Sequence, residues 1–532
     1  MASKGLKLTE SHGSSRLLGC PVGTLMALML TVAGLSPMAS AATGAGADDG
    51  AAESSVRLPV STQAPDPSNS TSTVKLPLST VQKSKRNSFD ELSVSFGDES
   101  YVSKTSGATS YEEISARVRN KVQGRYFSAV IDAGASVAAN VNNYSNVEVP
   151  EAYFKVGTPA LAQPDATGVS RSNLFGISLS AGRKKERWSG LDSDWSLGLV
   201  QPFNKFDALR PTEQGFTGAF TEANVGPVSL LLFASPIFIP EQGAPYQLNN
   251  GKFITTSPWF SKPPDQLIIM AQTRNALYNI NMPETSSVVN HASYGVRARI
   301  ADQSGEGFYV QGSFLRKPMN AINLSFTGQL SIVENDTYGD ITIFPEVVYH
   351  TITAADIGYD SKTVSVGVSM LHEKPDQPNL YDGLTTSQYS DMTMISPAIE
   401  VRTFRSHMWG PRFRLASLNT QGGDVTPVGE YAQNGNMFGP RTMFRHALSG
   451  SVESTLHRAD HWSLDASARW IEELDELGSI LMTDLRLELG DSWRVALQAD
   501  VLGSRQGTAD TTTFIARYRA NDRAGIRLTY LF

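Results

Sequence analysis

Apolar and polar residues alternate one for one along much of this chain, most cleanly in its last third. Leu448, Gly450, Val452 and Leu456 alternate with Ser449, Ser451 and Glu453. Trp462, Leu464, Ala466, Ala468 and Trp470 alternate with Ser463, Asp465, Ser467 and Arg469. Leu485, Leu487 and Leu489 interleave with Asp484, Arg486 and Glu488, and Trp493, Val495, Leu497, Ala499 and Val501 with Arg494, Gln498 and Asp500. A period of two sends successive side chains to opposite faces, so each stretch predicts a strand with one apolar and one polar face. The same reading makes strands of Phe514–Tyr518 and Ile526–Phe532. Arg517, Arg519 and Arg527 then fall on the polar faces, and Asn521-Asp522 forms a tight turn between the two strands. Weaker alternation predicts earlier strands at 125–138, 149–157, 173–183, 194–201, 215–223, 227–235, 290–301 and 307–316. Others fit 321–333, 346–359, 362–371, 392–405 and 411–418.

So many one-sided strands need a partner for the apolar face and an answer to the open edges, which invite aggregation. Closing the sheet on itself removes the edges and pairs the last strand with the first. The ending Gly525, Leu528, Tyr530, Phe532 resembles the C-terminal signal of bacterial outer-membrane β-barrel proteins. That resemblance implies recognition by the barrel-assembly machinery and placement in the lipid of the outer membrane of a Gram-negative cell. The fold expected is all-β: a single transmembrane, antiparallel, up-and-down barrel over residues 89–532, with roughly 16 to 18 strands. Connections sort by length in the same sense. Short links at 489–492 and 520–523 oppose longer ones at 471–478 and 503–510, the asymmetry of turns and external loops in such barrels. Trp462, Trp470 and Trp493 fall at strand ends, where aromatic girdles sit.

The start of the chain predicts export. Lys4, Lys7 and Arg16 precede an apolar run from Leu25 to Leu35, then Pro37 and the small-residue site Ala39-Ser40-Ala41, so residues 1–41 form a signal peptide. The apolar run is shorter than the roughly 20 residues a membrane helix needs. Cys20 precedes that run, the wrong order for a lipidation site. It is the only cysteine in the chain, so the mature protein has neither disulfides nor cysteine–metal sites. Residues 42–88, rich in Ala, Gly, Ser, Thr, Pro and Asp, are a disordered spacer too short for a plug domain.

Composition excludes little else. A net charge of −7 without a basic block argues against nucleic acid as a partner. No G-x-S-x-G is present. The mature histidines, His291, His350, His372, His407, His446, His457 and His461, form no H-x-x-H or H-E-x-x-H spacing. Neither an enzyme nor a metal or cofactor is expected.

With apolar faces toward lipid, the opposite faces line a lumen. Candidate lining residues are Arg183, Lys185, Arg469, Arg486, Arg494, Arg517, Arg519, Arg527, Asp484 and Asp500. Such charges set solute selectivity, here with a lean to anions. The reading is a porin-like channel for small hydrophilic solutes. Its alternatives are an export pore for an exopolysaccharide and a structural or adhesive barrel with a plugged lumen. An irregular stretch over 236–265, rich in aromatics, is a constriction inside the barrel or a cap outside it. The run Ala181-Gly-Arg-Lys-Lys185, Trp188 to Trp195, then Gln201-Pro-Phe203 resembles strand ends and aromatic loops of large porin-like families, including polysaccharide exporters. Arg beside Trp there suits sugars or anions; an aromatic girdle with basic headgroup contacts is the plainer alternative.

Overall fold

The computed structural model describes residues 91–532 except 103–108, 125, 143, 159–174, 270, 303–305, 334–335, 404–409, 436–440, 476 and 505–512. The expected signal peptide and spacer, and His407, lie outside the described residues.

Eighteen strands form one closed sheet. They are β1 Glu91–Tyr101, β2 Ser110–Gln123, β3 Phe127–Ala138, β4 Ser145–Gly157, β5 Phe175–Lys184 and β6 Phe216–Val225. Then come β7 Val228–Ser235, β8 Ser293–Ala301, β9 Gly307–Pro318, β10 Tyr349–Asp360, β11 Val364–Pro375 and β12 Met392–Arg402. The last are β13 Arg412–Gly422, β14 His446–Ala459, β15 Trp462–Glu473, β16 Gly478–Leu489, β17 Trp493–Ser504 and β18 Arg523–Leu531. Each pairs antiparallel with the next, and β18 returns to β1 from Ser93↔Leu531 through Tyr101↔Arg523. The barrel is therefore all-β, up-and-down and closed, at the upper end of the expected strand number.

Parity obeys the alternation. Leu497, Ile526, Leu528, Trp470, Leu489, Val310 and Ile357 are exposed on the outer face. Their neighbours Asp500, Arg523, Thr529 and Gln311 are buried within. An outward apolar band around a closed sheet is how a barrel sits in a bilayer, every backbone group paired within the wall. Aromatic pairs mark one rim of it: Phe127–Phe154, Phe308–Tyr359, His457–Trp462 and Trp493–Tyr530, with ring centroids 6.1, 5.0, 4.1 and 4.8 Å apart. This rim also carries the short links 124–126, 226–227, 361–363, 460–461 and 490–492, with 158–174 and 403–411 as its longer ones. The opposite rim, here the loop rim, carries 185–215, 236–292, 319–348, 376–391, 423–445 and 505–522.

Four expectations are corrected. Residues 194–201 are not a strand: Gly190–Trp195 is a short helix inside the barrel. The strand at 321–333 exists as Asn323–Val333, but in a separate sheet over the loop rim. There Gln266–Ile269, Gln272–Ile280, Asp336–Glu346 and Asn323–Val333 pair in that order, with 272–280 and 336–346 parallel. Phe514–Tyr518 is a helix, because positions four apart also share a helical face. Thr513 Oγ1 caps it by accepting from the Ala516 N–H at 3.3 Å, and the Phe514 and Tyr518 rings meet at 4.9 Å. The link at 520–523 therefore belongs to the loop rim rather than to a tight turn. Strands β1 and β2 were not anticipated.

The stretch 236–265 is both a cap and a constriction. Phe253 packs under the separate sheet with Tyr278 and Phe326. Trp259 instead enters the mouth of the barrel, its Nε1 donating to the Tyr101 hydroxyl at 3.2 Å and its carbonyl accepting from the Tyr518 hydroxyl at 2.9 Å.

Candidate functional site

The lumen is crossed by residues 185–215. Both ends of this segment are anchored side by side, since Lys184 of β5 is paired with Phe216 of β6. Between them the chain runs over the interior and back. Ser189 caps the helix Gly190–Trp195, and Ser196 ends it in the left-handed region at φ 51°. Asp192 then organises the chain beyond the helix. Its carboxylate accepts the N–H groups of Leu199, Val200 and Gln201 at 2.9, 3.1 and 3.3 Å. Burial pushes Asp192 up to about 6, against the pull of those three donors. From the other side, Asn320 Nδ2 donates to the carbonyls of Gly198, Val200 and Leu199 at 2.6, 3.2 and 3.3 Å. Asn320 is in turn held by Lys317 Nζ on its Oδ1 at 2.7 Å.

One side of the segment is seated on β9 to β12 through apolar packing and hydrogen bonds rather than ion pairs. Trp188, Leu191 and Trp195 are fully buried in the main core with Phe216, Phe233, Leu315, Ile352 and Leu371. Ser313 Oγ donates to the Trp188 carbonyl at 2.7 Å, and Trp195 Nε1 to Ser396 Oγ at 2.9 Å. The Gly190 N–H reaches Asp356 Oδ1 at 3.0 Å.

The other side meets β13 to β18 through charge. Asp194 pairs with Arg414, and its carbonyl accepts from Arg469 Nη2 at 2.9 Å. Arg210 binds Asp500 through Nε at 3.1 Å and Nη2 at 2.7 Å, and Asp484 through Nη1 at 2.7 Å. Asp207, which burial pushes up, pairs with Arg523 Nη2 at 2.8 Å. Small clefts stand beside the segment, two of them among the described residues. One of about 20 Å³ is lined by Pro202, Phe216, Phe233, Phe238 and Lys317, the other of about 30 Å³ by Trp195, Leu209, Phe444 and Met482.

Toward the rim of short turns the interior is polar and charges of both signs face one another. Arg117 and Arg119 share Asp132 at 2.7 and 3.1 Å, Lys155 meets Glu222 at 3.0 Å, and Arg494 meets Glu488 at 3.4 Å. The loop-rim half of the interior is thus filled by the crossing segment, packed through apolar core and ion pairs, and the other half is lined by facing charges.

Of the residues singled out in the sequence, Arg469, Asp484, Arg486, Arg494, Asp500 and Arg527 face inward, sharing parity with the buried positions of their strands. Asp484, Asp500 and Arg469 touch the crossing segment, whereas Arg527 meets Glu113 at 3.5 Å. Lys185 is buried at the start of the segment, its N–H on Glu151 Oε1 at 3.1 Å. Arg183 instead has the outward parity of Leu179 and reaches the Gly215 carbonyl at 3.2 Å. Arg517 and Arg519 stand on or beside the loop-rim helix, bonded to Ser261 Oγ and the Ala516 carbonyl, and lie on no wall strand. Leu528, Tyr530 and Phe532 point outward on the closing strand, and Gly525 lies against the backbone of Asp98. Sequence reading missed Asp192, Asp194, Asp207, Arg210 and Arg523. Ser189-Gly-Leu-Asp192 is a helix-start pattern that could have flagged the first. His350 Nδ1 lies 2.5 Å from Glu373 Oε1, which also takes Arg441 Nη2 at 2.7 Å, all buried in and beside the wall.

No family model and no curated protein matches the chain. Among solved structures it is similar to Wzi, described as an outer-membrane protein involved in group 1 capsule assembly in Escherichia coli and a carbohydrate-binding β-barrel. The identity is 12%, the coverage 83% of this chain and 84% of that one, and the TM-score 0.37. It is also similar to OccAB4 of Acinetobacter baumannii, at 9% identity, 83% and 96% coverage and a TM-score of 0.38. A BenF-like porin of Pseudomonas fluorescens Pf-5 gives 8%, 83% and 96%, and 0.40. Likeness at this level carries no inference about this chain; the barrel is read from its own strands.

Proposed function

We propose that the protein is a channel of the bacterial outer membrane for small hydrophilic solutes, closed in this structure by residues 185–215 and opened when that segment withdraws. The observation behind this reading is the charged half-lumen that ends on a segment hinged at Lys184↔Phe216 and tied to the far wall by Arg210, Asp207 and Asp194. Each of these ion pairs keeps one partner partly exposed, and such pairs are weaker ties than buried apolar contacts and respond to salt. The lumen mixes signs and pairs its cations with acids, so it lacks the single-sign field of a strongly anion-selective pore. Charge balance of this kind suits polar solutes chosen by size.

A second reading is a barrel that never conducts, favoured by the complete burial of Trp188, Leu191 and Trp195. Conductance of the purified protein in a planar bilayer separates the two. The comparison uses the full chain and a form in which 186–214 is replaced by a short Gly-Ser turn joining β5 to β6. Infrequent steps in the first and steady, large steps in the second are expected. Steady conductance in the shortened form with none in the full chain, at any salt concentration or voltage, would favour the plugged barrel.

A further inference from the structure

The outer face of the barrel is not the same all round. Tyr294 of β8, Arg316 of β9, Thr351 of β10 and Lys374 of β11 are successive cross-strand partners in one row. They share the outward parity of Val310, Phe314, Ile357, Val368 and Met370. Strands lie about 4.8 Å apart, so the two cations stand about 10 Å apart with a hydroxyl between them. Arg316 Nη1 donates to Thr351 Oγ1 at 3.3 Å and to Asp376 Oδ1 at 3.0 Å, and its guanidinium lies 5.2 Å from the centre of the Tyr349 ring. Lys374 and Tyr294 are exposed.

One row below, Val296, Phe314, Thr353, His372 and Thr393 are in register, with His372 Nδ1 2.9 Å from Thr393 Oγ1. Two rows further down the residues are Ile300, Val310, Ile357 and Val368. Toward the loop rim the outer surface of this sector thus passes from apolar, through hydroxyl and imidazole, to cationic. That is the order of layers in a bilayer from acyl chain to phosphate. On the far side of the barrel the outward loop-rim positions of β1 and β2 are Asp98 and Glu112, paired with each other across the strands. A girdle that merely anchored the barrel at headgroup level would not need opposite charge on opposite sides.

We propose that the row Arg316–Thr351–Lys374 is a binding site for the phosphate-bearing headgroup of a membrane lipid, with its acyl chains lying on Phe314, Met370 and the apolar rows beneath. The Arg316 fork suits two phosphate oxygens, and Lys374 supplies a point charge to a second phosphate or the same one. Asp376, the acid paired with Arg316, is half exposed and gives the guanidinium a resting partner that a lipid phosphate displaces. The site is independent of whether the lumen conducts.

The test is native mass spectrometry of the full chain in detergent, titrated with a bis-phosphorylated glucosamine lipid or with the same lipid stripped of phosphate. The wild type should retain the phosphorylated form about tenfold or more over the stripped one, as expected for two cations at a membrane surface. Arg316→Gln with Lys374→Gln should bring the ratio close to one while heat-modifiable migration, the sign of a folded barrel, is kept. Lys374→Gln alone, at an exposed position, gives a partial loss even if the double variant misfolds. Arg183→Gln, on the outward face of β5, should leave the ratio unchanged. The proposal is overturned by a wild type without preference, or by a folded double variant that keeps it. Displacement of the lipid by millimolar inorganic phosphate would equally overturn it, since the site would then be one for free anions.

Discussion

The two sides on which residues 185–215 are seated differ in kind. Against β9 to β12 the segment offers Trp188, Leu191 and Trp195 with a few hydrogen bonds and no ion pair among the described residues. Against β13 to β18 it offers Asp194, Asp207 and Arg210 to Arg414, Arg523, Asp484 and Asp500. Apolar contact is non-directional and is not screened by salt. Ion pairs fix a geometry and weaken as salt is added. The first side therefore holds the segment in the barrel, and the second decides how firmly it spans it.

The comparison breaks most readily at Trp188. Trp188→Ala should lose about 3–5 kcal/mol of seating, the usual cost of emptying a large buried site. Limited proteolysis of folded barrels reads it as new cleavage within 185–215; unchanged protection would mean that the apolar side holds nothing. Arg210→Gln should cost less, about 1–3 kcal/mol, because it strips charge partners from Asp484 and Asp500 while Arg523 still holds Asp500. Its signature is an open probability that no longer rises with salt as the wild type's does. If the variant remains as salt-sensitive as the wild type, the ionic side is not the one that opens.

A smaller effect is expected from pH. Asp192 is pushed up to about 6 in its buried seat and would return to the ordinary carboxylate range, near 4, if released into water. The closed form binds that proton more tightly, so the preference for closure is fully present below about pH 4 and is lost progressively as pH rises from there through about 6. Open probability should rise severalfold between pH 5 and 7.5, and Asp192→Asn should flatten the curve. A wild type that closes as pH rises over that window would contradict the sign. The smallest effect belongs to Arg517→Gln. Its residue sits on the loop-rim helix, so reversal potential under a salt gradient should not move.

The wall of the barrel was legible because a strand with one lipid face and one interior face writes its parity into sequence. Alternation alone puts Asp484, Arg486, Arg494 and Asp500 on the inner face. The same period misled at Phe514–Tyr518, where a helix also brings positions four apart together. It misled at 194–201 because a segment packed on all sides shows no single polar face. Strand β2 escaped notice because Glu112, on the face of Ile114, Ala116 and Val118, stands next to Glu113 and breaks the alternation at its start. The ties of Arg210 to Asp484 and Asp500 join positions more than 270 residues apart, and no local pattern announces them.

The pairing of β1 with β18 has a consequence in time. Ser95 Oγ and Thr529 Oγ1 meet at 2.9 Å across that seam although 434 residues separate them in the chain. Such a contact is the slowest kind for a chain to find. Until it forms, the other strands make an open sheet with two bare edges, each a template for a wrong partner. Whatever assists assembly must occupy those edges and then yield them to each other, so the wall is completed at a single place and in a single late step.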